Sequence, residues 1–287
     1  MAVIVNTNVQ SLIAQRNLNK ATNGLNTTTE RLSTGLRINR ASDDAAGLFV
    51  AKGLEAQLRG SQQCQTNISL GINVLQIAEG DLTTIQDNVM RIKDLATQAA
   101  NGVYSTSART AMANEVNARV AEINRIAAAS EFNGIKLLDG SGFTGGLRLQ
   151  VGHGSGSTAN AIVITDVFTN STAASAGIGL AENATAVNTA FATATAAAGF
   201  IATCEASLQE ISTKRAAIGV AQSRLEMASE GLATTIENVS SAKSTVMDTD
   251  IASTTADYTK NQILQQISSA MLTQANQAPS IALSLIG

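Results

Sequence analysis

Six residues, Ile211, Ile218, Leu225, Leu232, Val239 and Val246, stand seven apart in an unbroken series. An apolar repeat sustained this long draws one stripe along an α-helix, and such a stripe must be buried against a partner helix. The spacing predicts a helix from about residue 190 to 247. A second series, Ile68, Leu75, Leu82, Val89 and Ala96, keeps the same step, and Ile85, Ile92 and Ala99 fall three residues after its later members to complete the seam. It predicts a helix over 45–101, roughly 85 Å long at about 1.5 Å per residue. The only proline is Pro279, so neither helix meets an internal break. The simplest burial of both stripes is antiparallel pairing. The fold class is therefore mainly α, an antiparallel long-helix bundle or coiled coil.

Other elements surround this pair. Asn101-Gly102 is a candidate left-handed cap closing the first long helix. Ser105, Thr106 and Ser107 then offer N-caps for another helix, in which Met112, Val116, Val120, Ile123 and Ala127 step by three and four. Phe132-Asn133-Gly134 and Asp139-Gly140 bracket a short strand at 135–138, and 147–151 and 161–164 read as two more around the Gly/Ser loop 152–156. The stretch 165–198 is rich in Ala, Thr, Ser, Asn and Gly. It reads as surface-exposed, partly disordered or lightly helical.

The two ends have a different texture. Residues 261–287 carry no charged side chain; Asn and Gln alternate with Ile263, Leu264, Ile267, Met271, Ile281 and Leu285 at helical spacing. At the other end Leu18, Leu25 and Leu32 repeat by seven, as do Thr22, Thr29 and Leu36, among Arg16, Lys20, Arg31, Arg37 and Arg40. Alone, each such helix is marginal in water. Paired with each other and with further copies of the chain, they would bury their apolar sides, as expected of ends that fold on assembly.

Composition removes other classes of function. A formal charge of −3 provides no excess of cations to displace counterions from nucleic acid. Aromatics are 3% with no Trp, which offers little to grip a flat ligand. Met1 to Gln10 lacks a basic stretch followed by an apolar one, so no cleavable secretory signal is expected, and no apolar run is long enough for a membrane span.

The segments Val5-Asn6-Thr7-Asn8, Glu30 to Asn39 (ERLSTGLRIN) and Asp43 to Leu48 (DDAAGL) resemble bacterial flagellin, as do Glu131-Phe132-Asn133-Gly134, Gln262 to Gln266 (QILQQ), Gln274 to Gln277 (QANQ) and Leu283-Ser284-Leu285. The resemblance covers roughly 1–150 and 200–287. It implies a small, core-only flagellin: residues 1–42 and 250–287 as an inner helical domain with its spoke, 43–164 and 190–249 as a helical bundle with β-hairpins at 132–164, and 165–189 as a short variable surface segment. It implies a structural subunit, not an enzyme, with no cofactor, exported unfolded through the flagellum's own type III channel and located outside the cell in the filament. The implied partners are many copies of itself, an export chaperone, filament cap and junction proteins, and vertebrate Toll-like receptor 5. For the receptor, or for a neighbouring subunit, it marks Arg91, Leu95 and Glu115, with Met90 departing from the polar residue common there.

Single residues can be weighed beside that pattern. Asp43 and Asp44, near Arg37 and Arg40, read as acids stabilising the start of the long helix, with a metal or phosphate site as the alternative. His153 is the only histidine and has no HExxH context. Asn170-Ser171-Thr172 and Asn183-Ala184-Thr185 match glycosylation acceptors, and exposed Ser or Thr in 153–198 would suit O-glycosylation. Cys64 and Cys204 lie on the predicted seams as small hydrophobes. With Asp44 level with Met247 in the antiparallel pair, they would stand roughly 35 Å apart, too far for a disulfide. Gly60, Gly71, Gly80, Gly219 and Gly231 inside long helices are expected either to allow close approach between subunits or to face solvent. Two alternatives to the filament subunit are a hook–filament junction protein and a type III-secreted helical translocator or effector.

Overall fold

Long uninterrupted heptads become long helices. The computed structural model describes residues 7–156, 159–165, 167–174, 177–180 and 183–283, the last six as backbone alone. It contains α1 (Val9–Thr34), α2 (Ala45–Ala99), α3 (Thr106–Ala129), β1 (Glu131–Phe132), β2 (Ile135–Lys136), β3 (Leu147–Gln150), β4 (Ala161–Ile164), α4 (Ala184–Ala190), α5 (Ala194–Met247) and α6 (Ile251–Leu283). Two compact units are present: residues 59–236, and a unit holding both chain ends, up to residue 58 and from 237 onward. The division falls inside α2 and α5, not at the turns that follow α1 and α5.

In the unit 59–236, α2 and α5 run antiparallel. Arg215 donates to Gln86 at 2.7 Å, Gln222 to Glu79 at 3.4 Å, and Lys93 pairs with Glu205 at 2.9 Å. The expected seam forms the core: Ile68, Leu75, Leu82 and Val89 from α2 meet Ile211, Ile218 and Leu225, with Leu232 also in the cluster. From α3, Val116, Val120, Ile123 and Ala127 enter the same core, and Ser105 caps its start by accepting from Ala108 N–H. Val239 is buried in the other unit.

The register differs from the expected one. Glu205 is level with Lys93, so Cys204 is level with Asp94 and lies 30 residues along α2 from Cys64. That is about 45 Å on a straight helix, further than the 35 Å expected. Both thiols are free and buried, and burial pushes the Cys204 thiol up to about 12. The end of α2 also differs. Neither Asn101 nor Gly102 adopts a positive φ; Ala100 N–H bonds to Ala96 and the Asn101 side chain accepts from Val103 N–H.

The middle of the chain departs most from its sequence reading. Val167, Phe168, Ala173, Ile178, Leu180, Val187 and Phe191 are buried in the main core, so the stretch expected at the surface is anchored inside at these positions. Its anchors fall at irregular intervals, which show no sustained period in sequence. One anchor is polar. Lys214, 3% exposed on α5 between Ile211 and Ile218, donates through Nζ to Asn170 C=O at 2.6 Å and Ser171 Oγ at 3.0 Å. Burial pulls its ammonium pKa below the ordinary lysine value, opposed by Glu210.

Two hairpins complete this unit: β1 pairs with β2, and β3 with β4, both antiparallel. The β1–β2 turn is Asn133-Gly134, with positive φ at both positions. The second hairpin lies across α2, and two helix glycines make room for it. A Cβ on residue 60 would stand 2.9 Å from His153 Cβ, and one on residue 71 would run into Leu149. Asn67 adds a bond to Gln150 C=O at 3.3 Å. These two glycines therefore serve a contact within the chain, whereas Gly80, Gly219 and Gly231 have nothing within 4 Å.

Thermal unfolding tests both features. Gly80→Ala or Gly219→Ala should stabilise the unit by about 0.5–1 kcal/mol, since helix propensity rises with no clash, and Gly60→Ala should give no gain. A base whose folded pKa is lowered disfavours folding while it must be charged. The stability of this unit should therefore rise with pH as Lys214 deprotonates, up to the unfolded value near 10.5. Lys214→Met should remove that alkaline rise.

Candidate assembly surfaces

In the unit of the chain ends, α1 and α6 pair antiparallel through a seam in which small and polar side chains alternate with half-buried leucines and Tyr258. From α1 the buried residues are Ala14, Ala21 and Thr28, seven apart, with Leu18, Leu25 and Leu32 half-buried four positions further on. From α6 the inward series is Thr254, Tyr258, Asn261, Gln265, Ser268, Leu272 and Ala275, alternating steps of four and three. Polar contacts cross between the helices: Asn8 donates to Ala275 C=O at 2.7 Å, Ser11 to Asn276 at 2.7 Å, and Gln265 to Thr22 at 3.2 Å.

Apart from Leu272, the large aliphatic residues of α6 whose side chains are described face away from this seam. Ile263 is 50% exposed, Ile267 53%, Met271 59%, and Leu264 is exposed too; on α1, Val9, Leu12 and Ile13 are likewise exposed. Ile13, Leu264, Ile267 and Met271 wall one side groove of about 950 Å³, flanked by Lys20 and Lys260. Leu285 lies outside the described residues. The seven-residue leucine series was visible in the sequence. The companion series Ala14-Ala21-Thr28 was not, because small residues give no hydrophobic contrast.

A clasp closes the base of this pair. α1 ends at Gly35, whose φ of 71° is the left-handed conformation that favours glycine. Gly35 C=O accepts from Thr249 N–H at 3.0 Å, and Arg37 N–H donates to Met247 C=O at 2.6 Å, so Leu36 and Asp248 form an antiparallel bridge. The Arg37 guanidinium adds a bond to Val246 C=O at 2.8 Å. Half-buried Leu36 packs with Ile38, Ala51 and Met247 beneath it. Asp44 accepts from Gly47 N–H at the start of α2. Backbone N–H groups of Arg40 and Asn39 hold the Asp43 carboxyl below the usual carboxylate range, helped by Arg31 and Arg40. Both acids thus serve the turn and the helix start. Among the described residues, no group of three or more His, Cys, Asp and Glu is placed to hold a metal, and no helix is long and apolar enough to cross a membrane.

The patch marked on α2 and α3 is only partly at the surface. Glu115 Oε1 accepts from Arg91 Nε at 3.3 Å and from Arg119 Nη2 at 3.2 Å, and Arg119 reaches Asn88 at 3.3 Å. Leu95 is not part of it. At 3% exposure it lies in the core, because it follows Ile92 by three residues and shares its face. Arg119 was missed, although its Glu115-x-x-x-Arg119 spacing was available as a signal.

The architecture is that of a helical subunit whose two chain ends pair and leave apolar residues facing outward. Its N-terminal part, residues 5–142, matches the model of the bacterial flagellin N-terminal helical region, and residues 201–286 match the bacterial flagellin C-terminal helical region. The chain belongs to the bacterial flagellin family. It is 37% identical over 292 residues to a flagellar filament 33 kDa core protein of Treponema phagedenis, covering 99% of this chain and 100% of the relative. It is 32% identical to polar flagellin F of Vibrio parahaemolyticus in an alignment of 379 residues that covers both chains fully. That relative therefore holds residues this 287-residue chain lacks. A solved structure described as a flagellar hook-associated protein of Vibrio parahaemolyticus superposes with a TM-score of 0.59, covering 71% of this chain and 99% of that one. At 15% identity it shows the shared fold alone.

Leu95→Ala should destabilise the unit 59–236 by about 2–5 kcal/mol as a buried deletion. Arg91→Ala should cost under about 1 kcal/mol, as for an exposed ion pair. Denaturant unfolding of the two variants separates packing from surface chemistry.

Proposed function

We propose that this chain is a structural subunit that polymerises into a flagellar filament, with α1 and α6 carrying contacts between copies. The observation behind this reading is the inverted distribution on the chain ends. The fully buried seam positions are small or polar, Ala14, Ala21, Thr28 and Thr254, while Ile263, Leu264, Ile267 and Met271 are left in water. Apolar surface displayed in this way favours association with further copies. The full-length relatives are named flagellins and filament core proteins, which favours the filament over a hook–filament junction protein or a secreted effector. The family is one of structural proteins, and the chain is not an enzyme.

Family membership supports finer parts of the reading. The chain leaves the cell unfolded through the flagellar type III channel, and its site is the extracellular filament. Its uncharged C-terminal segment is held by an export chaperone until then, and cap and junction proteins bound the growing polymer. The Arg91–Glu115–Arg119 cluster is a contact between neighbouring subunits and the part of the marked patch open to Toll-like receptor 5; the buried Leu95 is not a direct contact for either.

Seeded elongation followed by electron microscopy tests the central claim. The full chain should extend seeds into long helical filaments. Deletion of 261–287 should abolish growth, as should the combined change Ile263→Asn, Ile267→Asn and Met271→Asn. Filaments from the deletion would refute the role given to the ends.

A further inference from the structure

A seam whose fully buried positions are small or polar poses a problem of register. Large apolar knobs normally fix the axial position of one helix against another, because each knob fits one hole. In one series of the seam, Ala14, Ala21 and Thr28 of α1 and Thr254, Ser268 and Ala275 of α6 are small and alike, and Leu18, Leu25 and Leu32 repeat without change. A slip by one heptad would exchange one small residue for another.

One position breaks the sameness of that series, beside the flanking positions Tyr258, Gln265 and Leu272, which differ from one another. Gly24 is the only glycine of α1, and the half-buried Asn261 amide lies against it. A Cβ on residue 24 would stand 3.0 Å from Asn261 Oδ1 and 3.1 Å from both Cγ and Nδ2. The native pairing sets Thr22 against Gln265 and Gly24 against Asn261. A slip of seven residues would carry Asn261 from Gly24 to Asn17 or Arg31, neither of which lacks a Cβ. The notch is therefore unique along the helix.

We infer that Asn261, seated in the notch of Gly24, is the side-chain contact that carries the α1–α6 register outward along the pair from the backbone clasp at Gly35 and Thr249. A polar side chain at a seam position specifies register at the expense of stability, since an apolar residue would pack more strongly and in more than one place. The inference rests on the reading that α1 and α6 carry assembly. It supplies what that reading lacks: the outward residues Ile13, Leu264, Ile267 and Met271 reach a second copy in a fixed pattern only if the two helices hold one axial position.

The test reads register directly in the full chain. In a background with Cys64→Ala and Cys204→Ala, Thr22→Cys is combined with Gln265→Cys to report native pairing, or with Leu272→Cys to report a one-heptad slip. A short bismaleimide cross-links each, both in monomer and in filaments grown from seeds. With Asn261 present, the native pair should react about tenfold better than the shifted one; with Asn261→Leu, or with Gly24→Leu, the preference should fall to within about threefold. An unchanged preference in both variants overturns the inference, and so does the lack of any preference, in monomer and filament alike, while Asn261 and Gly24 are intact. The variant carrying Ile263→Asn, Ile267→Asn and Met271→Asn separates the two claims. It should keep the native cross-link in the monomer and fail to elongate. If it elongates, the assembly reading falls while the register result stands.

Discussion

The contact between the apolar stripes of α2 and α5 is the constraint on which the rest of the chain depends. Each helix is more than fifty residues long and has one apolar side, and neither could stay in water alone. Pairing them antiparallel buries Leu75, Leu82, Val89, Ile211, Ile218 and Leu225 completely. It also gives α3, the two hairpins and the 167–191 segment a surface to pack on. The end of α5 and the approach to α2 then meet at the Leu36–Asp248 bridge, from which α1 and α6 continue.

The two units solve the burial problem in opposite ways. In residues 59–236 the large residues point inward and the core is closed. At the chain ends the pattern is reversed, with Ala14, Ala21, Asn261 and Ser268 facing in and Ile263, Ile267 and Met271 facing out. A subunit needs both arrangements. A closed core folds without help, whereas an open apolar face completes its burial only among copies. Within α2, Gly60 and Gly71 trade helix propensity for close seating of the β3–β4 hairpin.

What the sequence revealed depended on periodicity and residue size. The heptads at 68–96 and 211–246 are long and made of large residues, so both helices and their core faces could be read directly. The Ser105 cap and the strands near 147–151 and 161–164 were legible from local chemistry. Residues 167–191 were not, since Val167, Phe168, Ile178 and Phe191 are irregularly spaced anchors in an Ala/Thr/Ser background and obtain their burial from distant elements. The helix register was misjudged because a perfect seven-residue repeat looks the same after every slip, and only pairs such as Lys93–Glu205 define the offset. Leu95 was marked by family position, while its place on the face of Ile92 had already set it inside.

The clasp at Gly35 and Thr249 has a mechanical consequence. α1 enters its helix pair from one strand of the chain and α6 from the other, and the two strands are bonded to each other where they cross. A twisting moment applied to α1 is therefore resisted by the end of α5 as well as by the start of α2, and neither terminal helix hangs from a single rotatable tether. In a filament that must turn as one shaft, such a doubly held joint converts a flexible linker into a torsional coupling.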